Sequence, residues 1–232
     1  MKSLHIIQSK VIVTFDAAST KFHSFSDRLR PRCIEELILP SKVKHRLCRM
    51  QQAHAIQNML LYGAAGTGKT TCADLLADES SFFVRRFNAA LDRSVSDVSE
   101  IQAFAVSPSL YPQNKIAVLD EAESMTRAAQ KALLTVIEDA TAAFDRDYST
   151  KFLLIANDAH KLIDPLKSRC LPISFNPYSV DHKEAMSTLL TTIKSRFEEI
   201  DAEYDEQAVL AIVESSFPDF RTIANRIEFE LL

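Results

Sequence analysis

Apolar residues come along this chain in short dense runs separated by stretches of helical periodicity. The runs at 58–62 (NMLLY), 82–87 (FFVRRF), 115–119 (KIAVL), 152–156 (FLLIA) and 171–175 (LPISF) are strand candidates. Between them, helix-like segments near 69–79, 94–105, 126–142 and 161–169 have the spacing of parallel strands joined by crossover helices. This alternation predicts an α/β fold around a parallel sheet of five strands, a class that binds its ligands at the carboxyl ends of the strands.

Upstream, 41–55 reads as a helix, with Val43, Leu47 and Met50 recurring on one face and Ser41, after Pro40, as its cap. Residues 4–15 (LHIIQSKVIVTF) read as a strand or hairpin without attached chemistry. Beyond Pro177 only helices are predicted, near 179–197, 205–215 and 218–231. The acidic stretch 198–206 reads as a solvated connection, with Asp205 starting the helix that follows. The expected organisation is therefore an extension over 1–27 of unassigned role, a nucleotide-binding domain over 28–177 and a small all-α lid over 178–232.

Composition sharpens this picture at one place. The chain has three glycines in 232 residues, where ordinary usage of about 7% would give about sixteen. All three fall within six positions, at Gly63, Gly66 and Gly68. A chain that avoids glycine elsewhere has kept it where the backbone must take positive φ or approach a ligand closely.

Charge is uneven. The net charge is −4, yet residues 1–56 carry ten Lys/Arg against four Asp/Glu, whereas 181–232 carry five against twelve. The first segment suits an anionic partner and the last does not. The cysteines, at 33, 48, 72 and 170, form no CxxC pair and read as reduced thiols. The longest stretch without Asp, Glu, Lys or Arg runs from Met50 to Gly68 and contains Gln51, Gln52, His54, Gln57 and Asn58, so it does not suit lipid. Residues 1–10 lack the apolar core of a secretory leader, and a cytoplasmic protein without a membrane partner is expected. His160 and His182 have no further ligands at metal spacing.

The peptide Gly63-Ala64-Ala65-Gly66-Thr67-Gly68-Lys69-Thr70, followed by Thr71, fits G-x-x-x-x-G-K-T. It stands where a phosphate loop must stand, after a strand and opening a helix. Backbone N–H groups and a helix N-terminus wrap phosphate oxygens there, and side chains on the loop would block the approach. Lys69 is placed to reach the β and γ phosphates of ATP, and Thr70 to ligate Mg²⁺. Further on, the strand 115–119 ends in Asp120-Glu121. Beside a phosphate loop, Asp120 suits the Mg²⁺ shell and Glu121 suits polarising the attacking water.

With these motifs the chain resembles the AAA+ ATPases, and among them sliding-clamp loader subunits such as replication factor C small subunits. Leu29-Arg30-Pro31 resembles the Tyr-Arg-Pro box ahead of the nucleotide site. Phe87-Asn88-Ala89 resembles the Asn region after the second strand, and Ala129-Gln130-Lys131-Ala132-Leu133 the helix after the acidic box. Ser168-Arg169-Cys170 is similar to the signature whose arginine reaches a neighbouring subunit's ATP. Phe217-Pro218-Asp219-Phe220-Arg221 resembles the sensor-2 segment of T4-like phage loaders, which implies a phage source and host cytoplasm.

The resemblance covers about 28–230. It implies Asn157 as sensor 1, Arg221 as sensor 2, Arg30 and Pro31 beside the nucleotide, and Arg169 as an arginine finger acting in trans. It also implies Asn88 as the group that holds Glu121 from the water until DNA binds. The implied cofactors are ATP and Mg²⁺; the implied partners are other loader subunits, a sliding clamp and primed DNA. Arg85, Arg86 and Arg93 are candidates for template phosphates, equally readable as exposed arginines. Two departures stand out: the acidic box ends in Glu123 where loaders often have Asp, and the helical collar that follows the lid in loaders is expected to be absent or supplied by another polypeptide. Two rival readings remain at this level: an AAA+ ATPase for helicase loading or branch migration, and a nucleotide-gated binding module with little hydrolysis.

Overall fold

The computed structural model describes residues 24–90, 94–107, 114–142 and 149–231. The expected strand or hairpin at 4–15, and Arg93, lie outside them. Five parallel strands, β1 (Met59–Tyr62), β2 (Phe83–Asn88), β3 (Lys115–Asp120), β4 (Thr150–Ala156) and β5 (Leu171–Ser174), pair in the order β2-β3-β4-β1-β5. Each predicted strand is present. The inner strands β1, β3 and β4 are buried along nearly their whole length, which is why their sequences are apolar runs without alternation. At the edge, β2 keeps only Phe87 buried and shows Arg85 and Arg86 to solvent.

Nine α-helices lie among the described residues, from α1 (Phe25–Arg28) and α2 (Ser41–Gln52) to α9. One face of the sheet carries α4 (Val95–Val106) and α5 (Arg127–Ala142), whose Ile101, Phe104, Leu133 and Ile137 close over Leu119, Phe152 and Leu154. Against the other face lie α2 and α3 (Lys69–Leu76), with Leu47, Cys72 and Leu76 on Met59, Leu61, Ile116 and Leu153. Two expectations are corrected. Ser41 is the first helical residue and not the cap; Pro40 holds that position and the Ser41 hydroxyl donates to Glu184 at 3.1 Å. The segment expected as a helix over 161–169 is a 3₁₀ turn (Ala159–Lys161) followed by the short α6 (Asp164–Ser168), because Pro165 fits only the first turn of a helix.

The last helices, α7 (His182–Glu199), α8 (Glu206–Ser216) and α9 (Phe220–Leu231), form a small bundle around Ile193, Phe197, Val213 and Ile227. Asp181 and Asp205 start the first two by accepting the amides of Lys183 and Gln207 at 3.0 and 2.8 Å. The bundle core also takes Phe25 from far upstream, whose ring centroid lies 4.7 Å from that of Phe197. Between the two parts, the guanidinium of Arg196 is almost fully buried. It donates to Glu36 at 2.8 Å, to Glu199 at 3.0 Å and to the carbonyl of Arg28 at 2.9 Å.

Removing one partner of a buried guanidinium leaves its desolvation uncompensated. Glu36→Ala is therefore expected to lower stability by about 1–3 kcal/mol in urea unfolding, whereas Arg32→Ala, which breaks an exposed pair with Glu199, should cost under about 1 kcal/mol.

Candidate nucleotide site

The strand order decides what meets at the carboxyl edge of the sheet. Reading across it, the chain leaves β2 at Asn88, β3 at Asp120, β4 at Ala156, β1 at Tyr62 and β5 at Ser174. Asn157 thus stands between the glycine loop and the acidic turn, although these are far apart in sequence.

Gly63 follows β1 and donates its N–H to Ala156 of β4 at 3.2 Å. A Cβ here would lie 2.6 Å from the carbonyl oxygen of Phe175, and φ is +148°, so no side chain fits. At the head of α3, Lys69 is only 6% exposed and its ammonium donates to the carbonyls of Gly63 and Ala64 at 2.8 and 2.6 Å. Thr67, also buried, donates its hydroxyl to Ala64 at 2.8 Å and closes the loop on itself. Thr70 is exposed and Thr71 half-buried in the first turn of α3, where amides have no partner within the helix.

Burial pushes the Lys69 ammonium below the ordinary lysine range. The carboxylates of Glu123 and Asp120 act against that shift, and the guanidinium of Arg221 adds to it. A buried ammonium with a second cation in range is an anion receptor. Two cations, the free amides of α3 and a loop without side chains in the way fit a polyphosphate.

The acidic turn follows β3. Asp120 accepts the amide of Glu121 at 2.9 Å, and Glu121 itself takes a left-handed conformation, φ 53° and ψ 40°. A carboxylic side chain in that region carries strain, of order 1–3 kcal/mol, and the turn sets the exposed carboxylate of Glu121 beyond the strand end. Asn157 donates its amide to Glu123 at 2.9 Å. The second oxygen of Glu123 is buried without a hydrogen-bond partner among the described residues. Glu123 was not singled out from sequence as a site residue; its place in the acidic box was the available signal.

The lid reaches the loop through the start of α9. Phe220 donates its N–H to the carbonyl of Gly66 at 3.1 Å. The carboxylate of Asp219 accepts the amides of Arg221 and Thr222 at 3.1 Å each. A Cβ on Gly66 would lie 2.0 Å from that carboxylate. Asp219 and Phe220 were quoted in sequence only as flanks of Arg221, yet they make the contact.

Other residues fall elsewhere. Arg30 and Pro31 lie on the connection from α1 towards the sheet, and the exposed guanidinium of Arg30 faces Asp27 at 3.4 Å. Asn88 accepts the amide of Ala90 at 2.9 Å, as a turn residue does. Arg169 ends α6, about half exposed, with its guanidinium on Glu138 of α5 at 2.8 Å. Arg85 pairs with Glu100, and Arg86 with Asp74 and Glu79 at 3.0 and 2.7 Å.

The family model AAA, the ATPase family associated with various cellular activities, matches residues 59–178. A replication factor C small subunit from Aeropyrum pernix is 31% identical over 210 residues, covering 87% of this chain and 61% of that protein. Human replication factor C subunit 5 is 29% identical over 221 residues, covering 91% and 62%. This chain thus spans about three fifths of the length of these relatives. Among solved structures, the Thermotoga maritima RuvB Holliday junction branch migration motor superposes with a TM-score of 0.63 at 22% identity, over 87% of this chain and 64% of that one, a likeness of fold.

Two glycine substitutions separate the roles of the loop. Gly63→Ala meets the backbone of Phe175, just after β5, and should lower stability by more than about 2 kcal/mol in urea unfolding. Gly66→Ala meets the Asp219 side chain, and should cost less stability while weakening binding of a fluorescent ATP analogue at least about tenfold. Equal losses in both assays for the two variants would contradict this assignment.

Proposed function

This chain belongs to the AAA family of ATPases, and on that premise we propose that it is the motor part of a sliding-clamp loader. In this reading it uses binding and hydrolysis of Mg²⁺ATP to place a ring-shaped clamp on primed DNA. The observation that carries the ATPase half is the buried Lys69 ammonium in a glycine loop, with Asp120, Glu121 and Asn157 at adjacent strand ends. The loader half rests on the replication factor C relatives and on Ser168-Arg169-Cys170. Likeness of 217–221 to T4-like phage loaders adds a phage source and host cytoplasm to the reading. Among the described residues no helix is long and apolar enough to cross a membrane.

The placement of these residues supports the following roles. Lys69 exchanges its two carbonyl partners for β and γ phosphate oxygens, and the amides at the head of α3 take others. The Thr70 hydroxyl and Asp120 carboxylate would hold Mg²⁺, which supplies charge neutralisation at the β and γ phosphates. Glu121 accepts a proton from the attacking water as its oxygen bonds to the γ phosphorus and the bridging P–O bond to ADP breaks. Asn157 orients that water, and Arg221 brings positive charge from the lid. Arg169 acts on a neighbour's nucleotide: within its own chain it is held by Glu138, on the helix across from α3. The domain division follows the same logic, 28–177 binding nucleotide and 178–232 acting as the lid.

ATP turnover measured against protein concentration, with and without primed DNA, tests this reading. Turnover per molecule should rise with concentration and again with DNA. Glu121→Gln should lower it at least about 10²-fold with nucleotide affinity retained, and Arg169→Ala should lower it about 10³-fold or more and remove the concentration dependence. Slow turnover indifferent to both substitutions would favour a nucleotide-gated binding module instead.

A further inference from the structure

Beyond the nucleotide site, the most concentrated unpaired positive charge in the described residues lies on α2. Its sequence, SKVKHRLCRMQQ, contains four Lys/Arg and no carboxylate. Val43, Leu47 and Met50 turn to the sheet, and Lys42, His45, Arg46 and Arg49 are all exposed on the outer side. They line one open groove of about 670 Å³ together with Met50 and Ala53, at the end of the same helix.

Many of the arginines among the described residues are neutralised locally. Arg32, Arg85, Arg86, Arg169, Arg196 and Arg226 all face carboxylates. Lys42, Arg46 and Arg49 have no ion-pair partner among the described residues, and they stand together. Three like charges held three and four residues apart on a helix repel one another, which an anion spanning them would reverse. Since Arg85 and Arg86 are already paired, the contact with nucleic acid expected of them from sequence has a better candidate on α2.

We propose that this groove binds the phosphate backbone of a nucleic-acid strand, an inference that rests on the DNA-directed reading above. From Lys42 to Arg49 the helix rises about 10 Å, at about 1.5 Å per residue. One strand of a duplex advances about the same distance in three nucleotide steps of about 3.4 Å. Both arginines present the fork that engages phosphate oxygens. The groove starts beside the lid, where Ser41 meets Glu184 of α7, and runs to the residues that enter β1, so a strand lying in it would pass outside the nucleotide site. Recognition would be of charge, without reading of sequence.

The test is binding of a fluorescein-labelled 30-nucleotide template with an annealed primer, titrated with the full chain between 50 and 300 mM salt. The variant Lys42→Ala/Arg46→Ala/Arg49→Ala should bind at least about tenfold more weakly at 100 mM salt. The slope of log affinity against log salt should flatten by about two. Arg46→Lys/Arg49→Lys, which keeps the charges, should keep the slope. These side chains are exposed, so the fold and the affinity for a fluorescent ATP analogue should be unchanged.

No DNA binding by the unaltered chain, or equal affinity and slope for both proteins, overturns the proposal. So does a triple variant that binds DNA normally but loses self-association, which would assign the groove to an acidic protein surface such as residues 198–206 of a second copy. Concentration-dependent turnover is read separately, so a loader without this groove contact and a groove on a protein that is no loader give different results.

Discussion

A lysine ammonium taken out of water must find a negative partner or give up its charge, and the whole carboxyl edge of this sheet is arranged around that constraint. Lys69 is buried on two backbone carbonyls, dipoles that stabilise an ammonium only in part. Glu123 and Asp120 offset some of the remaining deficit, and Arg221 deepens it. A polyphosphate satisfies both cations at once, together with the amides of α3, and no single loop could supply all of these groups. The site depends on the strand order that gathers them.

Placing β4 between β1 and β3 puts Asn157 and its partner Glu123 between the loop that receives phosphate and the turn that bears Glu121. Rigidity comes from below, since the inner strands are packed on both faces, Gly63 donates its N–H to β4, and Phe175, just after β5, donates its N–H to Tyr62 ahead of the loop. Responsiveness comes from above. The start of α9 rests on Gly66 through one hydrogen bond and one close carboxylate, so whatever enters the loop meets the lid. Arg196 ties that lid to the connection preceding α2 with a buried charge network, giving movement of the bundle a route to the rest of the chain.

Much of this was legible in sequence because the signals are local. Glycine confined to 63–68, a phosphate-loop pattern after NMLLY and carboxylates after KIAVL each report a constraint of a few adjacent residues. Strands and most helices were legible too, since burial writes itself as apolar runs and one cap as Asp205, whereas the cap at Asp181 emerged only in the fold. What sequence missed depends on distant chain segments. The bond of Glu123 to Asn157, the seat of Asp219 against Gly66 and the pairing of Arg85 and Arg86 with Glu100, Asp74 and Glu79 leave no trace in spacing. Ser41 misled because Pro40 itself fits the position before a helix, and the helix expected over 161–169 was cut short by Pro165.

On this arrangement the loop, the acidic turn and the start of α9 respond to one nucleotide as a unit. Amide hydrogen exchange with and without saturating Mg²⁺ATP measures this most directly. Protection should rise together over 63–70 and at 219–222, with the Phe220 amide among the residues affected. Protection confined to the loop, with α9 exchanging as before, would contradict it.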